Sequence, residues 1–305
     1  MKSAPAFDRF VAETGPDYVL LDSGLGARLE RIGGVVLQRP DPSAVWPRRA
    51  DAKDWAAAQG AFTASGLTRG DWRFTRPLPP AWSFRFPTPS LPADELRFTL
   101  EPTGFKHIGI FPEQAANWAY LLDHLGPGAS LLNLFGYTGA ASVAARAAGA
   151  DVTHVDAVRQ VVDWARRNLE ANGLAGVRWV VEDALHFARG EVRRGHRYDV
   201  ILLDPPTWGI GPKGTKWKLE DHLEPLLTAV LDLLAPGGHL ILNTYSGLSP
   251  TALTTWLSRI AGPGSPFEWS AGELCIQGRD GHLLPTGSLL RGQNGLQRVG
   301  PASAT

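Results

Sequence analysis

The chain has 305 residues and a formal net charge of zero, because 30 Lys and Arg residues balance 30 Asp and Glu residues. A hydrophobic content of 44% is that of a globular protein, and the length allows two domains. No basic run indicates a nucleic-acid partner, and the single cysteine, Cys275, excludes an internal disulfide framework. Without a membrane-length apolar run or a secretory segment at 1–12, the sequence predicts a cytoplasmic protein.

The first part of the chain is rich in tryptophan and proline. Strand-like stretches occur at 18–21 and 28–38, and a short helical stretch occurs at 54–62. These features predict a small β-rich accessory domain over 1–92, which ends in a proline-rich linker at 87–92. Its tryptophans suit either of two roles, stacking on bases or filling the core of a small domain.

Residues 93–125 form a predicted connection to a second domain. The stretch 96–111 has the character of a hairpin, and apolar residues at helical spacing predict an amphipathic helix over 114–125. This connection could serve as a hinge or could line a site.

The stretch from Leu131 to Gly139 is the centre of the second domain, 126–305. It begins as a continuous apolar run, which predicts a strand buried on both faces, and it ends in a turn between Gly136 and Gly139. A helical segment of small residues follows from Ala140. A strand, a glycine turn and a helix N-terminus can cradle a nucleotide, because glycine lets a ligand approach the main chain. The same pattern also suits an ordinary tight turn.

Polar clusters follow three further predicted strands, at 151–156, 177–181 and 198–203. Strands that alternate with helices predict a doubly wound parallel α/β sheet, in which ligands bind at the carboxyl ends of the strands. Asp156 lies about twenty residues past the glycines, where a carboxylate can accept hydrogen bonds from both hydroxyls of a ribose. The alternative role for Asp156 is a helix N-cap.

The rest of the chain continues the alternation. Helices at 219–235 and 250–261 flank a strand at 239–245, and a closing hairpin joins 267–277 to 282–291.

A polar loop over 209–218 carries Lys213, Lys216 and Lys218. It could cover a site or contact a phosphate, and it equally suits a solvated loop.

Taken in order, the motifs of the second domain resemble those of class I S-adenosylmethionine-dependent methyltransferases. They are Asn133 with Gly136-x-x-Gly139, then Asp156, then Asp183-Ala184, and then Asp204-Pro205-Pro206-Thr207-Trp208. The resemblance covers about 126 to the C-terminus. Within that superfamily, the segments 135–139 and 107–114 are similar to the branch that holds bacterial large-subunit rRNA base methyltransferases.

This resemblance implies a Rossmann-like seven-stranded methyltransferase sheet with a closing antiparallel hairpin, and S-adenosylmethionine as the cofactor. The glycine turn would hold the methionine part, Asp156 the ribose, and Asp183 with Ala184 the adenine edge. The cofactor-binding residues that it implies are Phe111, Gln114, Asn133, Phe135, Gly136, Tyr137, Thr138, Gly139, Asp156, Ala157, Asp183, Ala184 and Asp204.

The implied catalytic residues are Asp204, Pro205, Pro206 and Trp208. Methyl transfer from a sulfonium is an in-line displacement, so the enzyme mainly positions two reactants and excludes water. Asp204 can accept a hydrogen bond from an amine, the adjacent prolines stiffen the backbone, and Trp208 offers a flat face to a planar base.

Methylation at C5 of cytosine would need a thiolate nucleophile. Family members with that activity carry a cysteine where this chain has Tyr245, within 244–247, and Cys275 falls in the predicted hairpin. The sequence therefore favours a nitrogen of an rRNA base as acceptor. A small-molecule or protein acceptor remains open, as does a non-catalytic module that binds the cofactor.

No metal site is implied, because the eight histidines and the single cysteine show no paired ligand spacing. The sequence leaves the oligomeric state open.

Overall fold

The computed structural model of the protein describes residues 8–65, 69–210, 216–245 and 247–296. Lys213, Ser246 and residues 297–305 lie outside these ranges.

Two kinds of element make up the described chain. The strands are β1 (Asp8–Val11), β2 (Tyr18–Gly24), β3 (Ala27–Ile32), β4 (Val35–Pro40), β5 (Gly60–Ala64), β6 (Gly70–Phe74), β7 (Ser83–Pro87), β8 (Glu95–Thr99), β9 (Ser130–Leu134), β10 (Asp151–Asp156), β11 (Val177–Val181), β12 (Tyr198–Leu203), β13 (Trp208–Ile210), β14 (Lys216–Lys218), β15 (Leu234–Thr244), β16 (Phe267–Gln277) and β17 (Leu283–Asn294). The helices are α1 (Ala52–Ala56), α2 (Ala115–His124), α3 (Ala140–Ala147), α4 (Arg159–Ala171), α5 (Ala184–Arg193), α6 (Leu219–Leu233) and α7 (Pro250–Ala261), with a 3₁₀ turn at Pro112–Gln114 before α2.

The central sheet has eight strands in the order β1-β16-β17-β15-β12-β9-β10-β11. Strands β9, β10, β11, β12 and β15 are parallel, and β16 with β17 forms the predicted antiparallel hairpin. The predicted α/β methyltransferase-like sheet is confirmed, with one more strand than the seven expected.

The additional strand is β1, which pairs in parallel with β16 and places Asp8 beside Gly272. A Cβ at Gly272 would overlap the backbone of Asp8, so the missing side chain permits the close approach. Four residues with a largely exposed pattern carry no strand signal of their own, and the sequence analysis therefore missed β1.

Both faces of the central sheet are covered, which explains its apolar parallel strands. Because successive side chains of a strand point to opposite faces, Leu131 joins the core formed with α2 and α3, whereas Leu132 joins the core formed with α5, α6 and α7. Leu202 and Leu203 divide in the same way on β12.

The N-terminal region forms a second sheet, ordered β2-β3-β4-β5-β6. The single strand predicted at 28–38 was wrong, because the chain reverses at Gly33 and Gly34, both with left-handed φ. The helix predicted at 54–62 is confined to α1, since Gly60 already begins β5.

The hairpin predicted at 96–111 was also wrong. Strand β8 pairs with β7, which precedes it in the sequence, and residues 100–111 form no strand. The proline-rich stretch at 87–92 lies largely in the connection between these two strands.

The two sheets share one hydrophobic core. Leu20 and Ile32 of the N-terminal sheet belong to the same buried cluster as Phe98 and Trp118. A main-chain hydrogen bond also joins the N-terminal sheet to the turn of the closing hairpin, since Arg279 N donates to Leu20 O (2.9 Å). The buried Trp55 and Trp82 are core residues, which is one of the two roles predicted for the tryptophans.

No helix in the described ranges combines the length and apolar character needed to cross a membrane.

Phe98 and Phe105 allow a matched test of this shared core. Phe98 is fully buried against Trp118 (ring centroids 5.7 Å apart), whereas Phe105 is 48% exposed. We expect Phe98→Ala to lower the free energy of unfolding by about 3–5 kcal/mol because it opens a cavity. Phe105→Ala should change it by less than about 0.5 kcal/mol. Urea denaturation measures both, and equal losses would contradict the shared core.

Candidate cofactor and acceptor site

The parallel strands bring the predicted residues to one edge of the central sheet. Asp156 ends β10, Asp183 follows β11, and Asp204 follows β12. Since these strands are parallel neighbours in one sheet, their carboxyl ends open on the same side. Asp156 and Asp204 therefore lie at the same edge, on either side of β9.

The turn after β9 has an unusual backbone. Phe135 and Tyr137 have left-handed φ values of 58° and 50°, and Gly139 has 82°. Such values are rare for residues with side chains and concentrate at functional sites. Gly136 is required for another reason, because a Cβ there would overlap the imidazole of His154. A Cβ at Gly139 would lie only 2.7 Å from the Cβ of Ala165.

A buried polar chain supports this turn from below. Asn133 Nδ2 donates to Ser142 Oγ (2.9 Å), and that hydroxyl is hydrogen-bonded to His154 Nδ1 (2.9 Å). Burial lowers the pKa of His154 to about 3, so its ring is neutral. The chain ties the end of β9 to α3 and β10.

Asp156 holds the turn through main-chain donors. Tyr137 N donates to its Oδ2 and Val158 N to its Oδ1, both at 2.9 Å. Burial raises the pKa of Asp156, and these hydrogen bonds oppose the rise. A main-chain hydrogen bond from Ala157 also lowers this pKa, and a carboxylate, with about four lone-pair sites, can accept a further donor such as a ribose hydroxyl. The N-cap alternative was wrong, because Val158 is the N-cap of α4 and no side chain caps that helix.

Asp183 is the N-cap of α5. Its Oδ1 accepts a hydrogen bond from His186 N (2.9 Å). Ala184 is the first residue of the helix and is buried. The cap fixes the carboxyl edge of β11 beside Asp156, which lies on the neighbouring strand.

A cavity of about 50 Å³ lies between the glycine turn and Asp204. The predicted residues that line it are Phe111, Gln114, Asn133, Phe135, Gly136, Tyr137, Thr138 and Asp204. Ile110, Trp118, Ala140, Ala141 and Leu202 also line it and were not predicted. Only a small end of a ligand fits inside this volume, so the rest of a nucleoside ligand would lie along the open edge towards Asp156.

The carboxyl of Asp204 is held by two side-chain amides. Asn243 Nδ2 donates to Oδ1 (3.1 Å) and Gln114 Nε2 donates to Oδ2 (3.3 Å). Gln114 is itself fixed, because Asn117 Nδ2 donates to its Oε1 (2.7 Å) and its Nε2 also donates to Tyr245 Oη (3.1 Å). Burial raises the pKa of Asp204 to about 7, against the lowering effect of the Asn243 hydrogen bond.

The segment after Asp204 is anchored by a tryptophan that the sequence analysis did not select. Trp217 is buried, its Nε1 donates to Pro206 O (2.6 Å), and its ring contacts Phe135 (centroids 4.9 Å apart). Trp208 is 49% exposed and begins β13. It is not among the residues that line the cavity.

Other site residues were also missed. Asn243 could have been found as a buried polar residue directly after the apolar run 240–242 of β15, and Asn117 only from its contacts. The ring of Tyr245, which is 36% exposed, contacts Phe111 (centroids 5.8 Å apart).

Cys275 lies far from this edge in the sheet order. Its strand, β16, is separated from β12 by β17 and β15, and its side chain is buried. Burial raises the pKa of the Cys275 thiol to about 11, so it is protonated at neutral pH. No thiolate is therefore available at Asp204 from this residue.

A family model described as S-adenosylmethionine-dependent methyltransferase matches residues 49–258, which is more than half of the chain. The chain belongs to this family. The methyltransferase therefore uses S-adenosylmethionine, and the glycine turn, the lone pairs of Asp156 and the cavity are compatible with that cofactor.

Curated relatives carry more specific names. The ribosomal RNA large subunit methyltransferase K/L of Shewanella frigidimarina is 33% identical over 152 residues, or 48% of this chain and 21% of that protein. The protein of the same name from Methylococcus capsulatus is 40% identical over 129 residues, or 41% of this chain and 17% of that protein. The methyltransferase thus matches only about a fifth of the length of these relatives.

Solved structures match more of the chain. A SAM-dependent methyltransferase from Agrobacterium tumefaciens is 34% identical, with a TM-score of 0.82 over 97% of both chains. SMU.776, which was crystallised with SAH, is 19% identical and has a TM-score of 0.70 over 91% of this chain and 75% of its own, a likeness of fold.

In the described ranges, His, Cys, Asp and Glu side chains form no group of three or more that could hold a metal ion.

The raised pKa of Asp204 predicts a pH effect on stability. Between about pH 4 and pH 7 the unfolded state ionises this carboxyl while the folded state keeps it protonated, so its contribution to stability falls as the pH rises. Asp204→Asn removes this dependence. We expect the stability of the variant relative to wild type to increase from pH 4 to pH 7, as measured by urea denaturation at each pH. A difference that stays constant over this range would contradict the assignment.

Proposed function

We propose that this methyltransferase transfers a methyl group from S-adenosylmethionine to a nitrogen of an rRNA base, in the cytoplasm. The observation that supports the proposal most is the Asp204 carboxyl in the lining of the cavity, with the half-exposed Trp208 four residues further along the chain. A carboxyl that accepts hydrogen bonds suits an amine or base nitrogen, and flat rings suit a planar acceptor.

The cofactor would lie along the edge from Asp156 to Asp204. The turn from Phe135 to Gly139 borders the cavity and would hold the methionine part. The Asp156 oxygens accept hydrogen bonds from the ribose, and Asp183 with the Ala184 main chain borders the adenine. When bound, S-adenosylmethionine supplies an electrophilic methyl group on a positively charged sulfur.

The acceptor would be positioned by residues beyond the cavity. Asp204 accepts a hydrogen bond from the reacting nitrogen and orients its lone pair, while Gln114 and Asn243 keep the carboxyl in place. Trp208 provides a stacking face, and Pro205 with Pro206 fixes its distance from Asp204. Phe111 borders the methyl group and excludes water.

Two observations favour RNA as the substrate. Some aromatic side chains are exposed, and the relatives are named as rRNA methyltransferases. Among the described Phe, Tyr and Trp side chains, Phe105, Trp208 and Tyr245 are 36–49% exposed. Tyr245 is linked to Asp204 through Gln114, and Trp208 follows Asp204 by four residues. Phe105 is two residues from His107, whose ring contacts Phe111 (centroids 4.9 Å apart). Unpaired bases stack on such rings. The two curated relatives described above are named as acting on large-subunit rRNA.

Removal of the Asp156 carboxyl should weaken cofactor binding. We expect Asp156→Ala to raise the Kd for S-adenosylmethionine by about tenfold to a hundredfold, since it removes hydrogen bonds to a charged group. Asp156→Asn, which keeps one acceptor, should lie between this variant and wild type. Asp151→Ala, at the exposed start of the same strand, is the control. Calorimetry measures all four proteins, and undiminished binding to Asp156→Ala would refute the ribose assignment.

The acceptor class can be identified by isotope transfer. We expect the enzyme, incubated with methyl-tritiated cofactor and fractionated cell extract, to label large-subunit rRNA. Asp204→Asn should retain cofactor binding and lose most of the labelling. Label that enters only protein or metabolites would refute the rRNA proposal, and no label in any fraction from an enzyme that binds cofactor would favour a binding module.

A further inference from the structure

The chain is neutral as a whole, but its charges are unevenly placed around α5 and β11. Five of its arginines fall within 20 residues, and all five are exposed. They are Arg178, Arg189, Arg193, Arg194 and Arg197. We call the exposed surface formed by these residues the α5 face.

The acids in the same stretch reduce this positive charge only in part. Glu191 is fully buried and pairs with Arg178 (3.5 Å) and Arg194 (3.0 Å). Asp183 is used as the cap of α5, and Glu182 contacts His186 (3.2 Å). Within the described part of the chain, no ion pair with an acidic side chain involves Arg189, Arg193 or Arg197, and all three are exposed to solvent.

Helical geometry aligns two of these arginines. Arg189 and Arg193 are four residues apart on α5, and His186 is exposed three residues before Arg189. Side chains at this spacing lie on one side of a helix. The resulting stripe starts at His186, three residues after Asp183 at the carboxyl edge of the sheet, and continues along the helix to Arg193, the last residue of α5.

Aromatic rings of α5 and of the edge strand β11 lie near arginines. The guanidinium of Arg178 lies 5.4 Å from the ring of Phe187, and that of Arg166 lies 6.0 Å from the ring of Trp179. No large hydrophobic side chain between 159 and 207 is exposed, and the structure describes this whole range. A face of fixed cations without exposed apolar groups suits a phosphate backbone better than a membrane or an apolar protein surface.

We propose that the α5 face binds the RNA phosphate backbone and holds the substrate against the catalytic edge. This inference rests on the proposed rRNA function and adds a contact outside the base-binding site. Because phosphate contacts position a substrate without reading its sequence, the face sets affinity and orientation, while Asp204 and the exposed aromatic rings select the base.

Salt dependence tests this proposal. The double variant Arg189→Ala/Arg193→Ala should lose two phosphate contacts and lower the slope of log Kd against log salt by about 1.4–1.8. Raising the salt from about 50 to 200 mM should therefore weaken RNA binding by wild type about tenfold more than binding by the variant. Purified large-subunit rRNA is the probe, and filter binding gives the Kd at each salt concentration.

Controls separate the possible outcomes. Lys53→Ala/Arg259→Ala removes the same charge from exposed positions elsewhere and should keep the wild-type slope. Both double variants should bind S-adenosylmethionine like wild type.

If wild type binds rRNA and the Arg189/Arg193 variant keeps the wild-type slope, or the control variant loses as much slope, only the α5 face assignment is wrong. If wild type binds no RNA, the proposed substrate and this surface are both wrong. Binding of the face to anionic phospholipid vesicles with an unchanged RNA slope would also overturn the proposal.

Discussion

The imidazole of His154 occupies the space that a side chain at residue 136 would need, and the architecture of the site depends on this contact. It forces glycine at the middle of the turn, which allows the chain to bend with left-handed residues on either side. The Asp156 carboxyl then accepts a hydrogen bond from the Tyr137 main chain and holds the bend. The turn that borders the cavity is thus supported from below by a neutral buried ring.

Two opposing effects set the pKa of Asp204. Burial disfavours its ionised form, whereas the amide of Asn243 favours it, and the result is a carboxyl with a pKa of about 7. Gln114 links it to Tyr245, whose hydroxyl accepts a hydrogen bond from the same amide. The site therefore presents a carboxyl and a phenol that are held together by one side-chain amide.

The N-terminal region contributes to this arrangement although it carries none of the proposed cofactor residues. Its sheet shares a core with the connection that carries Phe111 and Gln114, and β1 extends the central sheet beyond its closing hairpin. Because the two sheets pack through Trp118 and the surrounding phenylalanines, the position of Gln114 depends on residues distant in the sequence. Phe105, His107 and Phe111 all belong to this connection.

The sequence by itself determined the parallel sheet, because each of its strands is a local apolar run that ends in a polar cluster. The same pattern located the glycine turn, Asp156, Asp183 and Asp204, since parallel strands must bring their carboxyl ends to one edge. Only the tertiary structure decided the eighth strand, the pairing of β8 with β7, and the roles of Asn243 and Trp217. Strand pairing and side-chain hydrogen bonds between distant segments depend on how the layers pack, and a four-residue strand or a single asparagine has no periodic pattern that reveals its partner.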